Sequence, residues 1–257
     1  MKLPVLSIYL AGFRFPVILS VLLLATLTTA TGAGAGQTDT RPARTKKVLV
    51  LDPGHGGHDV GAGNPDDIYE KDVALIFSRL LAEKLKHAYT VHLTRSDDYE
   101  LDLMHRPAVA NYIEADLFLS IHTGASTLHN PNGMLIAYYD GQFRLKAPGI
   151  PTQNTRQTGN QLPPWDNNAL DQREKSRHLA ELLKEKFLEY DPGINVHIQG
   201  MPIAVLGGAN QPALLIEIGY LTSPSDLRKL KDNNVLADYT GIINVTLAAY
   251  FSGRSDL

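Results

Sequence analysis

Two histidines and two glutamates occupy positions that suit chemistry better than packing. His55 sits in the turn Asp52-Pro53-Gly54-His55-Gly56-Gly57, directly after the apolar run Val48-Leu49-Val50-Leu51. His122 closes a second apolar run, Leu117-Phe118-Leu119-Ser120-Ile121, just before Thr123-Gly124. Glu70 lies between them, and Glu217 interrupts a third run, Ala213-Leu214-Leu215-Ile216-Glu217-Ile218-Gly219. Short apolar runs bounded by glycine turns read as buried strands, so each imidazole is placed at the mouth of a sheet. Imidazole and carboxylate together supply nitrogen and oxygen ligands for a metal, and a spare carboxylate supplies a base for water. Those are the makings of a hydrolytic zinc site. The chain has no cysteine, which excludes thiolate ligands, disulfides, thiol catalysis and a lipidated cysteine, and leaves nitrogen and oxygen as the only donors.

Each residue also has an ordinary reading. His55 fits a plain turn or cap, although its flanking glycines allow close backbone approach to a ligand. The same turn is compatible with a phosphate cradle, but it lacks both the Lys-Ser/Thr ending of a P-loop and dinucleotide-fingerprint spacing. His122 is compatible with a satisfied core histidine, because a buried imidazole needs a partner either way. Glu70 suits the start of a helix through the helix dipole. Glu217 is the sharpest signal, since a carboxylate inside a buried strand must pair with a cation or take part in chemistry.

The elements that position these residues alternate. Strands are expected at 47–51, 90–95, 117–122, 133–139, 202–206 and 213–218. Helices are expected at 71–87, 105–114, 173–190, shortly after Pro224, and at 235–251. In the first helix Val73, Ile76, Phe77, Leu80, Leu81 and Leu85 share one face. Continuous apolar strands alternating with helices predict an α/β fold: a single domain with a mostly parallel twisted sheet and helices on both faces. The C-terminal ends of such strands are where α/β ligand sites form. Residues 140–170 lack clean periodicity, and a stretch of that length inside a domain reads as an insertion or lid.

The N-terminus has a different character. Lys2 and Arg14 precede the apolar stretch 15–27, which fades into Ala30, Ala33 and Ala35. That is the pattern of a secretory signal peptide over residues 1–36, and its apolar part is shorter than the roughly 20 residues that span a bilayer. Residues 37–46 read as a polar linker, and 47–257 as the catalytic domain. The leader carries two cations and no acid, so without it the net charge of −3 becomes about −5. No basic stripe points to nucleic acid. An exported protein with no stable membrane span after cleavage is expected, in the periplasm or at the cell wall.

Five stretches carry a family resemblance: LDPGHGGHDVGA (51–62), YEKDV (69–73), LTRSDD (93–98), LMHRPAVANYIEADLFLSIH (103–122) and PALLIEIGYLTSPSD (212–226). In order and spacing they resemble the zinc-dependent N-acetylmuramoyl-L-alanine amidases of bacterial cell walls, from about residue 47 to the C-terminus, with 140–170 lacking a clear counterpart. The resemblance implies zinc ligation by His55, Glu70 and His122, and a catalytic base at Glu217 acting on a zinc-activated water. It implies peptidoglycan as substrate, cut at the amide between N-acetylmuramic acid and L-alanine. It also suggests that an activator protein acts on 140–170, where Leu162-Pro163-Pro164-Trp165 would be an apolar anchor; an ordinary surface loop is the alternative. Thr123-Gly124 stands where the family commonly has a small residue followed by Asn or Asp, and Gly207-Gly208 where many members have Lys or Arg. Arg95 and Arg106 are expected to be structural, and His58, His129 and His197 to be spare imidazoles. A gated or catalytically silent peptidoglycan-binding protein on the same scaffold is the rival reading.

Overall fold

The first strand, β1 (Val48–Pro53), is buried along its whole length. Alternation sends Leu49 and Leu51 into one core and Val48 and Val50 into another. A strand apolar on both faces needs cover on both, and the chain supplies it. The computed structural model describes residues 45–64, 66–125, 131–141 and 164–253. The expected signal peptide and residues 142–163, most of the segment read as a lid, lie outside the described residues.

After β1 come α1 (Glu70–Leu85), β2 (Thr90–Leu93), α2 (His105–Tyr112), β3 (Leu117–Gly124) and β4 (Met134–Tyr139). Then follow α3 (Pro164–Asp171), α4 (Arg173–Tyr190), β5 (Val196–Met201), α5 (Ala204–Gly207), β6 (Ala213–Tyr220), α6 (Pro224–Leu230) and α7 (Asn233–Ser252). The six strands form one sheet in the order β2-β1-β3-β6-β4-β5. All neighbours are parallel except β4 and β6, so the expected α/β architecture with a mostly parallel sheet holds. Side chains from α1, α4, α6 and α7 cover the larger core, with Phe77 and Phe187 fully buried. Those from α2, α3 and α5 cover the smaller one around Phe118. Each such aromatic contributes about 1.5–3 kcal/mol on burial. Among the described residues no helix is long and apolar enough to cross a membrane.

Two expectations need correction. The strand placed at 202–206 is instead the short helix α5, and the strand lies just before it, at Val196–Met201. Pro202 has no N–H for a ladder and ends β5, while a five-residue apolar run fits a buried helical turn as well as a strand. The second concerns the buried stripe of α1, which is narrower than expected. Val73, Phe77, Leu81 and Leu85 are buried, but Ile76 and Leu80 remain 51% and 37% exposed.

Candidate metal centre

The chain leaves β1 into a tight loop that gives His55 a φ of 58°, a left-handed conformation that a non-glycine residue adopts only when its surroundings impose it. Two buried arginines impose it here. Arg95, fully buried, donates to the carbonyls of Pro53 (2.9 Å) and Gly54 (2.7 Å), and Arg106 donates to those of Pro53 (2.8 Å) and His55 (2.9 Å). Asp52, also fully buried, accepts from Arg106 Nη1 at 3.0 Å, Thr94 Oγ1 at 2.5 Å and Ser120 Oγ at 2.7 Å. A buried charge without partners would be costly, and this network leaves neither Asp52 nor Arg106 unpaired.

Glu70 opens α1 and is buried, directly below the loop. Its Oε1 lies 2.8 Å from His122 Nδ1 and accepts the backbone N–H of Thr123 at 3.0 Å. Its Oε2 lies 3.2 Å from His55 Nε2 and accepts the N–H of Ala62 at 2.8 Å. Burial pushes this carboxyl up, but the hydrogen bonds with His122 and His55 outweigh it and hold Glu70 well below the usual carboxylate range. The bond to Glu70 in turn raises the His55 imidazole above its ordinary value, against the lowering pull of burial. His55 Nδ1 meets Asp59 Oδ2 at 2.8 Å, which leaves Nε2 directed at Glu70.

One ligand atom from each of His55, Glu70 and His122 lies within 4.8 Å of the others. Two imidazole nitrogens and an ionised carboxylate at that spacing are a donor set suited to one small N/O-preferring cation such as zinc. The backbone is shaped for the convergence. A Cβ at Gly61, whose φ is +65°, would stand 2.6 Å from the His55 ring and 2.7 Å from Glu70 Oε2.

Glu217 comes from the neighbouring strand β6. It is the Cα partner of His122 in the parallel β3–β6 ladder, so both side chains leave the same face near the C-terminal ends of their strands. Burial raises its carboxyl above the ordinary value, partly offset by the Tyr220 hydroxyl and the nearby His122. Beside His55 and His122 opens a cavity of about 470 Å³, with apolar walls from Leu101, Leu103, Ile203, Val205 and Leu215 and polar groups from Asp59, Glu100, Asp102 and Arg106.

The family profile described as N-acetylmuramoyl-L-alanine amidase matches residues 49–246. The chain belongs to this amidase family, Amidase_3. It is 29% identical over 217 residues to the amidase AmiC of Neisseria meningitidis, covering 77% of this chain and 50% of that protein. It is 31% identical over 189 residues to the probable cell wall amidase LytH of Staphylococcus aureus, covering 72% of this chain and 52% of LytH. The chain thus spans about half the length of these curated relatives. The solved structure of an N-acetylmuramoyl-L-alanine amidase from Clostridium difficile 630 superposes with a TM-score of 0.64 at 26% identity, over 82% of this chain and all of that one.

On this amidase scaffold the structure brings together all four residues singled out in the sequence. His58 and His197 are exposed and stand outside the cluster; His129 lies outside the described residues. Arg95 and Arg106 do the structural work expected of them, and Arg106 also reaches the cavity. Sequence reasoning missed Asp59 and Asp52. Asp59 had a legible signal, an acid four residues after His55 within the same glycine-rich motif, whereas Asp52 looked like an ordinary turn residue.

Proposed function

We propose that residues 47–257 form the catalytic domain of an exported, zinc-dependent N-acetylmuramoyl-L-alanine amidase acting on peptidoglycan in the periplasm or at the cell wall. The observation that carries the reading is the convergence of His55, Glu70 and His122 at the mouth of the sheet, with Glu217 beside His122. In this reading His55, Glu70 and His122 hold the zinc and Glu217 is the base. The leader-like N-terminal pattern and the cell-wall relatives support export.

When bound, zinc supplies Lewis acidity that polarises the scissile carbonyl and makes water a nucleophile near neutral pH. The chain's own residues do the rest. Asp59 fixes His55 with Nε2 inward, and Glu70 brings one negative charge to the site. The cavity beside His55 and His122, walled by Leu101, Leu103, Ile203, Val205 and Leu215, gives the substrate room next to the cluster. Glu217, kept half-buried, takes a proton from the attacking water and passes it to the departing nitrogen. The lactyl carbonyl carbon gains the hydroxyl, the C–N bond breaks, and the stem peptide leaves with a free L-alanine amino group, which takes its further proton as the new lactyl carboxylic acid ionises. Glu217→Gln tests the assignment. It is expected to retain stoichiometric zinc and to hydrolyse at least a hundredfold more slowly, consistent with the usual worth of a general base; a wild-type rate would remove Glu217 from this role.

A further inference from the structure

The β3–β6 ladder is regular from Phe118↔Ala213 to His122↔Glu217 and then slips, so that the next pair is Gly124↔Tyr220. Two residues on β3 therefore oppose three on β6, and the extra residue falls at Ile218-Gly219, where Gly219 has a φ of +151°. In an unbroken strand, residue 220 would face away from residue 217, three positions earlier. A one-residue bulge re-aims the side chain that follows it, and here it returns Tyr220 to the face of Glu217.

The space Tyr220 enters is free because residue 124 has no side chain. A Cβ at Gly124 would stand 2.3 Å from Tyr220 Cε1 and 2.7 Å from Glu217 Oε2. Phenol ring and carboxylate thus flank one point above bare backbone, near enough for the Tyr220 hydroxyl to pull the Glu217 carboxyl down against its burial. The backbone after the bulge is pinned. Tyr220 N–H donates to the buried Asp226 Oδ2 at 3.1 Å, and Leu221 N–H donates to Gly124 O at 2.9 Å.

We propose that Tyr220 is a positioning residue whose hydroxyl holds the Glu217 carboxylate beside the His55–Glu70–His122 cluster, through the bulge at Gly219 and the gap at Gly124. This rests on Glu217 being the base. Burial and the neighbouring carboxylate push the phenol up to about 12, so it remains a hydrogen-bond donor throughout the range in which the base works. A donor to the ionised form also favours that form, which counters the burial of Glu217.

The test uses the full chain loaded with zinc. Tyr220→Phe removes one oxygen and keeps the ring. Zinc content, melting temperature and KM are expected to stay at wild-type values, while kcat falls about tenfold, the scale of one hydrogen bond. In a Glu217→Asp background, where the carboxylate is withdrawn by one methylene, the same change is expected to have little further effect. A Tyr220→Phe variant with wild-type kcat, or an equal loss in the Glu217→Asp background, overturns the proposal. The two readings fail separately: an inactive Glu217→Gln beside a fully active Tyr220→Phe removes only the role of Tyr220. A fully active Glu217→Gln removes the base, and the positioning role with it.

Discussion

His122 and Glu217 are Cα partners across the β3–β6 ladder, and the same His122 meets Glu70 through its Nδ1 at 2.8 Å. One imidazole therefore neighbours both a carboxylate held well below its ordinary pKa and another raised above it. Paired carboxylates driven apart in this way divide the roles: the one held low suits a cation, and the one raised by burial suits proton transfer.

The division predicts distinct phenotypes. His122→Ala and Glu70→Gln each remove a donor from the cluster and are expected to lose bound zinc along with activity. Metal analysis of the purified variants after dialysis checks this. Full zinc occupancy in either variant would show that the metal sits elsewhere.

Asp59 touches the ring of His55 from outside the cluster. With its carboxylate 2.8 Å from His55 Nδ1, it orients the ring, and loss of such a partner typically weakens metal affinity about 10–100-fold. Asp59→Ala is therefore expected to keep the fold and to release zinc to a competing chelator at correspondingly lower chelator concentration. An unchanged zinc affinity would mean the ring is held by its packing alone.

The arginine–aspartate network under the loop makes a stability prediction. Arg106→Ala strands fully buried Asp52 with two hydroxyl partners and takes the arginine donor from the His55 carbonyl, while Pro53 keeps only Arg95. Breaking a buried pair from one side costs about 3–5 kcal/mol, measurable by urea unfolding of the metal-free protein. Arg106→Lys is expected to recover only part of this, because a single ammonium cannot reproduce the guanidinium fork. A loss below about 1 kcal/mol would contradict the role given to the network.

Much of this was legible in the chain. Strands β1, β3 and β6 are continuous apolar runs, and α4 spans the expected Arg173–Tyr190, because its leucine stripe has one unambiguous period. Glu217 was visible as a polar interruption of its run, His55 and His122 as imidazoles at the ends of theirs, and Glu70 only as a carboxylate at a helix start. What escaped notice depends on three-dimensional closure. The half-buried edge strand β5, with alternation only at Val196 and Ile198, carries a weak signal, and the Pro-Ile-Ala-Val-Leu run after it suits either state. The Thr123-Gly124 departure was readable as a departure, but not that the missing side chain leaves room for Tyr220. Asp52 gave no sign of burial because its partners, Thr94, Arg106 and Ser120, come from three other segments.

Glu217 also links rate to pH. Its carboxyl is raised by burial, so the folded state holds its proton more tightly than the unfolded chain does. Its contribution to stability is therefore present at low pH and lost as pH rises through the raised folded value. Glu217→Gln, which cannot ionise, is expected to raise the melting temperature of the metal-free protein at pH 7, with the gap closing as pH falls toward about 4. With Glu217 as the proposed base, which would work only when ionised, wild-type kcat is expected to decline with falling pH at a point above the ordinary glutamate value. A Glu217→Gln variant less stable than wild type at pH 7 would contradict the raised carboxyl.

The most direct test of the whole account is mass spectrometry of intact peptidoglycan digested by the purified protein, with chelator and with zinc restored. The account predicts free stem peptides bearing a new L-alanine amino terminus, absent with chelator and recovered with zinc. Products cut at another bond, or release unaffected by chelation, would contradict it.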